Sequence, residues 1–310
     1  MGILVIGATF VDIKGFPFDN YLPTGRNAGK VEYVHGGVAR NVVEDIANVE
    51  LRPTFLSIVD DTPMGDAVIK KLQNHKVNTD YILTRPDGMG TWLAVFDNNG
   101  DVAGSISKRP IMYPIAELLE EKGDEIFSKV SSVVLEVGLD KEIVKGTLAL
   151  SKKHNVKTVA LVANMSIAAE RRDLLQQFDC VICNQQEAGI LFLDDYENKS
   201  REEMLDILVE RIAAANIPSM VVTMGADGAV YANLAGEQGI CAARKVQVKD
   251  TTGAGDAFCA GAVIGLTHGK TMAEACQIGS TLSASVITTY DSVCPRFQPR
   301  ELGLDIDVVD

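Results

Sequence analysis

The chain has 310 residues, enough for two ordinary domains or for one large α/β domain with an appendage. It holds 29 Lys and Arg against 42 Asp and Glu, and the net charge of −13 argues against nucleic-acid and anionic-membrane partners, which need basic surfaces. A hydrophobic content of 46% with 23% charged residues is typical of globular proteins and excludes global disorder.

The six cysteines are scattered along this acidic chain, a usage typical of a reduced cytoplasmic protein rather than of a disulfide framework. Cys180 and Cys183 form a C-x-x-C pattern, but they lie in a strand-like run that puts them on opposite faces. Neither a second such pair nor clustered histidines complete a zinc site. No basic region precedes the N-terminal apolar run and no run approaches ~20 apolar residues, so we expect neither a signal peptide nor a membrane span.

Apolar strand-like runs alternate with helix-length amphipathic segments along the chain. Strands are predicted at Ile3–Ile6, Thr54–Ile58, Ser132–Leu135, Thr158–Val162, Cys180–Ile182 and Met220–Thr223. Helices are predicted at Val38–Val49, Met64–Asn74, Lys141–Lys153, Ala168–Gln177, Arg201–Ala215, Ala254–Thr267 and Met272–Thr288. Continuous apolar strands between helices predict a mostly parallel sheet with both faces covered. Such sheets bind ligands at the carboxyl ends of their strands.

Two stretches interrupt this alternation. Residues 13–35 end in an alternating run at 30–34, and a second stretch holds alternating runs at 91–96 and 102–106. The turn between the last two runs, Asn-Asn-Gly-Asp, is typical of a hairpin. Together these strands predict a small antiparallel sheet that projects from the main domain. Over the ligand-binding edge it would act as a lid, and otherwise it is an edge hairpin without function.

The first polar candidates follow the first strand. Gly7 ends that strand without the G-x-G-x-x-G that a dinucleotide fold requires, so we exclude a Rossmann-type cofactor site. Asp12, five residues later, is placed to bind sugar hydroxyls. Gly36-Gly37 then opens a helix and lets a polar ligand approach the backbone, while Asn41 offers both a donor and an acceptor.

The segment Asp250–Phe258 carries the sharpest local signal. It follows a strand predicted at Lys245–Val248 and opens a helix, and Gly253 and Gly255 allow close approach of an anion. Asp256 would repel that anion unless it accepts the proton of a hydroxyl that is being phosphorylated. The alternative is a glycine-rich turn in which Asp256 is only a favourable charge at a helix start.

Two further motifs admit a simple structural interpretation as well. Asn184 and Glu187 follow a strand and start a helix, so they either form a capping box or lie near phosphate and the hydration shell of Mg²⁺. Thr223, Gly225 and Gly228 lie between two strands, in either a plain hairpin or a loop that passes under a nucleotide.

Taken together, these motifs resemble the ribokinase-like, or PfkB, family of carbohydrate and nucleoside kinases over essentially the whole chain. Residues 250–256 are similar to the family's D-T-x-G-A-G-D signature, and Gly36-Gly37 with Asn41 is similar to its N-terminal glycine motif. The N-x-x-E motif at 184–187 and the T-x-G-x-x-G motif at 223–228 follow the family pattern in the same order.

The resemblance implies a three-layer α/β/α sandwich with a mostly parallel central sheet and a small β-sheet lid. It assigns residues 1–12, 36–89 and 112–310 to the large domain, and residues 13–35 and 90–111 to the lid. It also implies an ATP- and Mg²⁺-dependent phosphotransferase that acts on a sugar hydroxyl and dimerises through the lid, as ribokinases do.

The resemblance further implies a role for each motif. Asp256 would be the catalytic base, and the backbone of Gly253, Ala254 and Gly255 the anion hole. The sugar would be bound by Asp12, Gly37, Asn41 and Glu136. The nucleotide would be bound by Asn184, Thr223, Gly225 and Gly228, with Glu187 holding Mg²⁺ through water. Asp250 and Thr252 match positions that hold a monovalent cation in ribokinases, which makes K⁺ a candidate, although Asp291 stands where ribokinases often have glycine.

Within the family, the segments Gly29–Val31 and Gly36–Asn41 are most similar to those of pseudouridine kinases, which implies that the acceptor is the 5′-hydroxyl of pseudouridine. Val38 and Arg40 depart from the G-G-K-G-A-N of ribokinases; Arg40 would border the base or, alternatively, pair with Glu44 in solvent. Ala163-Asn164 replaces the Asp-Pro of pseudouridine kinases. The alternatives are a kinase of a free sugar, such as ribose or fructose, or of another nucleoside, and a catalytically silent ligand-binding relative.

Overall fold

The computed structural model describes residues 1–162, 169–170 and 172–306. Within these ranges the strands are β1 (Ile3–Ile6), β2 (Phe10–Pro17), β3 (Gly29–Gly36), β4 (Thr54–Val59), β5 (Ile82–Thr84), β6 (Gly90–Phe96), β7 (Val102–Lys108), β8 (Ser132–Glu136), β9 (Lys157–Leu161), β10 (Cys180–Asn184), β11 (Ser219–Thr223), β12 (Ala229–Asn233) and β13 (Gln238–Cys241). The α-helices are α1 (Val38–Asn48), α2 (Pro63–Asn74), α3 (Pro114–Phe127), α4 (Lys141–His154), α5 (Arg172–Leu175), α6 (Gln185–Phe192), α7 (Arg201–Ala215), α8 (Ala254–Thr267) and α9 (Met272–Val286). Short 3₁₀ turns lie at Gly225–Asp227 and Pro299–Leu302.

The main sheet has nine strands in the order β13-β12-β11-β10-β9-β8-β1-β4-β5. Every pair from β11 to β5 is parallel, and β12 and β13 are added antiparallel at one edge. Helices α3 to α7 pack on one face and α1, α2, α8 and α9 on the other. Because both faces are covered, the strands are apolar on both sides, which is why their sequences read as continuous apolar runs. The predicted α/β/α sandwich is confirmed.

The two cysteines of the C-x-x-C pattern illustrate the two faces. Cys183 belongs to the core cluster on the α3–α7 side, and Cys180 to the cluster on the α1–α9 side, as their spacing predicts. All six cysteines of the chain are free and buried. Burial raises the pKa of Cys180 to about 11, so this thiol stays protonated and packs as a small apolar group.

Two sequence predictions differ from the structure. The segment Lys245–Val248 is not a strand: Val246 and Val248 are exposed, so their alternation does not mark a buried sheet face. Helix α3 was not predicted, although its buried positions follow a helical spacing. The predicted helix Ala168–Gln177 lies partly outside the described residues, and its described part holds the short α5; Ala163-Asn164 lies outside them as well.

A second sheet has the strand order β3-β2-β6-β7. Strand β2 pairs antiparallel with β3 and parallel with β6, and β6 pairs antiparallel with β7. Only three residues separate the end of β1 of the main sheet from the start of strand β2 of the second sheet. Strand β3 leads back to the main domain through Gly37, which precedes α1. The second sheet is therefore tied to the carboxyl ends of the central parallel strands, where ligands bind in such folds.

The two faces of the second sheet differ in character. Asp12, Trp92 and Ser107 are neighbours across β2, β6 and β7, and all three line a cavity between this sheet and the main domain. The opposite face carries an apolar row that crosses all four strands: Tyr33, Ile13, Leu93 and Ile106. Tyr33 is 62% exposed and Ile106 is 70% exposed. In the single chain, this outer face of the second sheet is therefore apolar and uncovered.

Helices α8 and α9 approach each other through glycines. A Cβ added at Gly261 would lie 2.7 Å from the Cα of Gly279, and one at Gly279 would lie 2.6 Å from the carbonyl oxygen of Phe258. Since both contacts are with backbone, neither helix can yield without moving as a whole. This packing fixes α8, whose first turn carries Asp256.

We predict that Gly261→Ala lowers the free energy of unfolding by about 1–3 kcal/mol, because the added methyl group overpacks a backbone contact. The matched control is Gly146→Ala in α4, where an added Cβ meets nothing closer than 3.9 Å. There the substitution should raise stability by about 0.5–1 kcal/mol, since glycine in an open helix position is unfavourable. Urea unfolding of the two variants measures the difference, and equal stability of both would contradict this account of the packing.

Candidate active site

Adjacent strands β1 and β8 are parallel, so their carboxyl ends lie side by side. Glu136 is the last residue of β8, and its Oε2 accepts a hydrogen bond of 2.9 Å from the backbone N–H of Ala8 just beyond β1. Burial raises the pKa of Glu136 to about 7, and the Ala8 bond offsets part of that rise. Near neutral pH this carboxyl can both donate and accept, which suits it to a substrate hydroxyl.

Asp12 faces Glu136 from the second sheet. Its carboxyl group is partly buried, and burial raises its pKa, while Lys14 and then Arg40 lower it. The carboxylate packs directly on the backbone of Gly36, where an added Cβ would lie 2.5 Å from Oδ1. Position 36 therefore requires glycine, because the carboxylate of Asp12 occupies the space that a side chain would take.

Asn41 and Asp256 meet between the first turns of α1 and α8. The Asn41 Nδ2 group donates a hydrogen bond of 2.6 Å to Asp256 Oδ2. Burial raises the pKa of Asp256 to about 6, and the Asn41 bond is the largest opposing cause. The carboxylate is therefore mostly ionised at neutral pH yet basic enough to accept a proton, as a general base requires.

The loop before α8 is shaped by Gly253. This residue has φ of 82°, in the left-handed region, and an added Cβ would lie 2.0 Å from the carbonyl oxygen of Ser292. It is also the N-cap of α8 and has no side chain to bond to the first turn. The Ala254 N–H donates to the carbonyl oxygen of Thr251 at 3.2 Å, no side chain caps the first turn, and the helix dipole favours an anion there.

A cavity of about 470 Å³ brings together all four predicted sugar-binding residues and the predicted base. Asp12, Gly37, Asn41 and Glu136 line it together with Thr252, Gly253 and Asp256. These residues lie far apart in the sequence and come from both sheets and two helices.

Several residues of the cavity wall were not predicted: Phe10, Trp92, Ser107, Arg109, Pro110, Met112, Gly138, Leu139 and Asp140. Trp92 had a detectable signal, because it is the only tryptophan of the chain and lies on an alternating strand. Arg109 is the only basic residue among the described residues of this wall, against four acidic ones.

A second cavity of about 120 Å³ lies on the other side of the same loop. The predicted nucleotide residues Thr223, Gly225 and Gly228 line it, together with Ala254 and Gly255. Since Gly253 and Asp256 line the first cavity, the start of α8 forms the boundary between the two. A group bound at this helix start is accessible from both sides, as transfer between two ligands requires.

Asn184 and Glu187 line neither of these cavities. Asn184 lies beside Thr223 in the sheet. Asn184 and Glu187 form a capping box: the Asn184 N–H donates to Glu187 Oε2 and the Glu187 N–H donates to Asn184 Oδ1, both at 2.8 Å. Burial raises the pKa of Glu187, and its charge raises the pKa of Asp256, so the two carboxyls influence each other. The structural interpretation of this motif is thus realised, and the capping box uses Oε2 of Glu187.

Arg40 does not line the cavity of about 470 Å³, contrary to the expectation that it borders the base. It forms the expected pair with Glu44, at 2.5 Å, but both side chains are only 1% exposed. The pair lies inside the protein because α1 packs its whole circumference between the main sheet, α8 and the second sheet.

The described residues contain no group of three or more His, Cys, Asp or Glu able to hold a metal ion. In the same part of the chain, no helix has the length and apolar character needed to cross a bilayer.

Comparison with known proteins identifies the family. The model of the pfkB family of carbohydrate kinases matches residues 2–295. The guanosine-inosine kinase of Exiguobacterium acetylicum is 32% identical over 292 residues, covering 94% of this chain and 95% of its own. The pseudouridine kinase of Escherichia coli K12 is 26% identical over 292 residues, covering 92% and 90%.

Among solved structures, the ribokinase of Arabidopsis thaliana complexed with ribose and ATP superposes with a TM-score of 0.83. The two sequences are 19% identical, and the match covers 97% of each chain. This likeness confirms the ribokinase-like fold. With the family match over almost the whole sequence, it follows that this chain belongs to the pfkB family of carbohydrate kinases, phosphotransferases that act on hydroxyl groups.

Proposed function

We propose that this protein transfers the γ-phosphate of ATP to the 5′-hydroxyl of a ribonucleoside. The observation that carries the proposal is the mixed lining of the larger cavity. Asp12, Glu136 and Asp256 give it acidic groups, and Phe10 and Trp92 give it aromatic surface. A nucleoside needs both kinds of surface, since it combines a ribose with a flat base.

The apolar part of the wall favours a nucleoside over a free sugar. Val38, Met112 and Leu139 add aliphatic surface to the two aromatic rings. A free sugar carries hydroxyls on every side and would leave them without hydrogen bonds against such a surface. A base can instead stack on an aromatic ring, which contributes about 1–3 kcal/mol per base.

Among nucleosides, we propose guanosine and inosine ahead of pseudouridine. The relative named for guanosine and inosine is 32% identical to this chain, and the one named for pseudouridine is 26% identical. The prediction of pseudouridine rested in part on Arg40 as a residue that borders the base. The Arg40 side chain is buried and does not line the larger cavity. Val38, which also supported that prediction, does line the cavity, and it would contact any base.

In the proposed reaction, Asp256 accepts the proton of the 5′-hydroxyl while Asn41 holds the carboxylate in place. The backbone at Gly253, Ala254 and Gly255 binds the transferred group, and positioning with charge neutralisation provides most of the rate. ATP would lie along Thr223, Gly225 and Gly228 with Asn184 near its phosphates. Mg²⁺, held through water by Glu187, would supply positive charge to those phosphates. The second sheet would exclude water, a competing acceptor.

Three further points belong to the same proposal. Asp250 and Thr252 are candidates to bind a monovalent cation such as K⁺; Asp250 Oδ1 already accepts a bond of 2.8 Å from the Thr252 N–H, which fixes the loop that would carry the ion. The second sheet acts as the lid predicted at residues 13–35 and 90–111, although its first strand begins earlier, at Phe10, and includes Asp12. The buried free cysteines and acidic composition support a cytoplasmic location.

We predict that guanosine and inosine are phosphorylated with a kcat/KM at least tenfold above that of ribose and fructose, because the aromatic wall contributes binding only when a base is present. Pseudouridine and uridine complete the panel. The measurement is steady-state kinetics at saturating MgATP with coupled detection of ADP, and the product is checked for 5′-phosphate.

Two outcomes of the panel would count against the proposal. A free sugar that exceeds every nucleoside by tenfold, about 1.4 kcal/mol of transition-state preference, would leave only the family assignment. Absence of ATP-dependent product with every acceptor would favour a catalytically silent relative.

We predict that Asp256→Asn lowers kcat by about 10²–10⁴-fold, because it removes the proton acceptor and keeps the shape of the side chain. Binding of ATP should be unchanged. The control is Asp66→Asn, which replaces an exposed aspartate in the first turn of α2. If Asp256 were only a charge at a helix start, the two variants would behave alike, and turnover of Asp256→Asn within a few-fold of the parent would refute its role.

We further propose that two copies of the chain dimerise through the apolar outer face of the second sheet, because a four-stranded sheet with one uncovered apolar face is poorly stable alone. Ile106→Asp should shift the dimer to monomer at tens of micromolar in sedimentation velocity. Leu234→Asp, at an exposed apolar position in the β12–β13 turn, is the control and should not. A monomeric parent protein at that concentration would contradict the proposal.

A further inference from the structure

The second sheet returns to the main domain through a sharply constrained turn at His35–Gly37. Strand β3 ends at Gly36, and α1 begins at Val38. Gly37 has φ of 101°, and an added Cβ would lie 2.7 Å from the carbonyl oxygen of Ala8. The geometry of this turn therefore sets how the second sheet, which carries Asp12, sits over the helix that carries Asn41.

Arg40 lies directly beneath this turn and bonds to it. Its Nη2 group donates to the carbonyl oxygen of His35, and its Nε group donates to that of Gly36 at 3.4 Å. The side chain is 1% exposed. Through these two bonds Arg40 joins the end of β3 to the first turns of α1.

The positive charge of Arg40 is paired with the carboxylate of Glu44, one turn further along α1. Its Nη1 group donates to Glu44 Oε2 at 2.5 Å, and Glu44 Oε1 also contacts Lys71 Nζ at 2.8 Å. Lys71, unlike Arg40, is 40% exposed, and no hydrogen bond joins it to the turn among the described contacts. The planar guanidinium can bond to Glu44 and to both carbonyls at once, whereas a lysine ammonium cannot span the same geometry.

Arg40 also lies near Asp12 and Asp256, two carboxyl groups that line the larger cavity. We call this cavity the acceptor cavity, because the proposed function places the acceptor there. Its charge lowers the pKa of Asp12, against burial, and lowers the pKa of Asp256 in the same sense. Asp12 rests on Gly36, whose carbonyl Arg40 binds, and Asp256 is bonded to Asn41, which is the next residue along α1.

We propose that Arg40 is a positioning residue that locks the His35–Gly37 turn and thereby fixes Asp12 on the second sheet relative to Asn41 and Asp256 on the main domain. Acceptor binding requires both sides of the cavity at once, and ATP binding requires only the main domain. Loss of the lock therefore weakens the acceptor selectively. The inference concerns the shape of the acceptor cavity and does not depend on which acceptor the enzyme prefers.

Trp92 provides a direct readout, because it is the only tryptophan and lies on the cavity-facing side of the second sheet. Its fluorescence is titrated with guanosine and separately with MgATP, and with ribose in place of guanosine if guanosine does not bind. Arg40→Lys should raise the half-saturating acceptor concentration about tenfold and leave that of MgATP within about twofold. KM for the acceptor should rise in parallel. The use of both acceptors separates failure of this proposal from failure of the nucleoside proposal.

Lys71→Met is the matched control, since it removes a second cationic partner of Glu44, leaves His75 Nε2 at 3.8 Å from Glu44 Oε1, and leaves the bonds to the turn intact. It should reduce thermal stability without moving either titration. If Arg40→Lys does not fold, Arg40→Gln combined with Glu44→Gln removes both buried charges together, so that neither is left unpaired. That double variant should show the same selective loss of acceptor binding.

An acceptor titration unchanged within twofold in Arg40→Lys, or in the double variant, would overturn the proposal. An equal shift in Lys71→Met would also overturn it, because the effect would then belong to the ion pair in general. Weakening of acceptor and MgATP to the same degree would indicate general loss of structure and would likewise count against a role in the turn.

Discussion

The hydrogen bond from Asn41 to Asp256 joins the first turns of α1 and α8, two helices on the same face of the main sheet. It holds the carboxylate of Asp256 at the start of α8, where the cavities of about 470 Å³ and about 120 Å³ adjoin, and the packing around both helices keeps the two partners of this bond in place. Helix α8 is fixed from behind by its glycine contacts with α9. Helix α1 is fixed at its N-terminal end by the His35–Gly37 turn, which joins it to the second sheet. A shift of either helix would move the Asp256 carboxylate relative to both cavities.

Parallel strands explain why the site lies at this edge. Glu136 ends β8, and Asp12 follows β1 by a few residues. The loop that carries Gly225 and Gly228 begins at the end of β11. Because all these strands run in one direction, polar residues that follow them gather at one edge although they are distant in sequence. The start of α8 crosses that edge and divides it into two cavities. A phosphoryl group at this helix start would contact an acceptor on one side and a nucleotide on the other.

The site opposes the stability of the fold. Burial raises the pKa of Asp256 to about 6 and that of Glu136 to about 7, so folding makes both groups bind their protons more tightly. Ionised carboxyls in these places therefore destabilise the folded chain, and the loss develops as pH rises from the ordinary carboxyl range through these values. Asn41 and the Ala8 amide offset part of it. Strongly shifted carboxyl pKa values of this kind cluster at functional sites.

The sequence alone determined the sandwich, the order of most strands and helices, and the residues of the four motifs, because each of these is encoded locally by apolar periodicity or by glycine at a constrained position. Tertiary structure alone decided the rest. Phe10, Trp92 and Arg109 enter the cavity only because the second sheet folds over the edge, and β2 pairs with β6 across more than seventy residues of chain. The local sequence predicts an exposed pair between Arg40 and Glu44 on a helix, since i, i+4 spacing is the same on a buried helix as on a surface one. Its burial is set by what packs around α1, and that depends on contacts which no local pattern records.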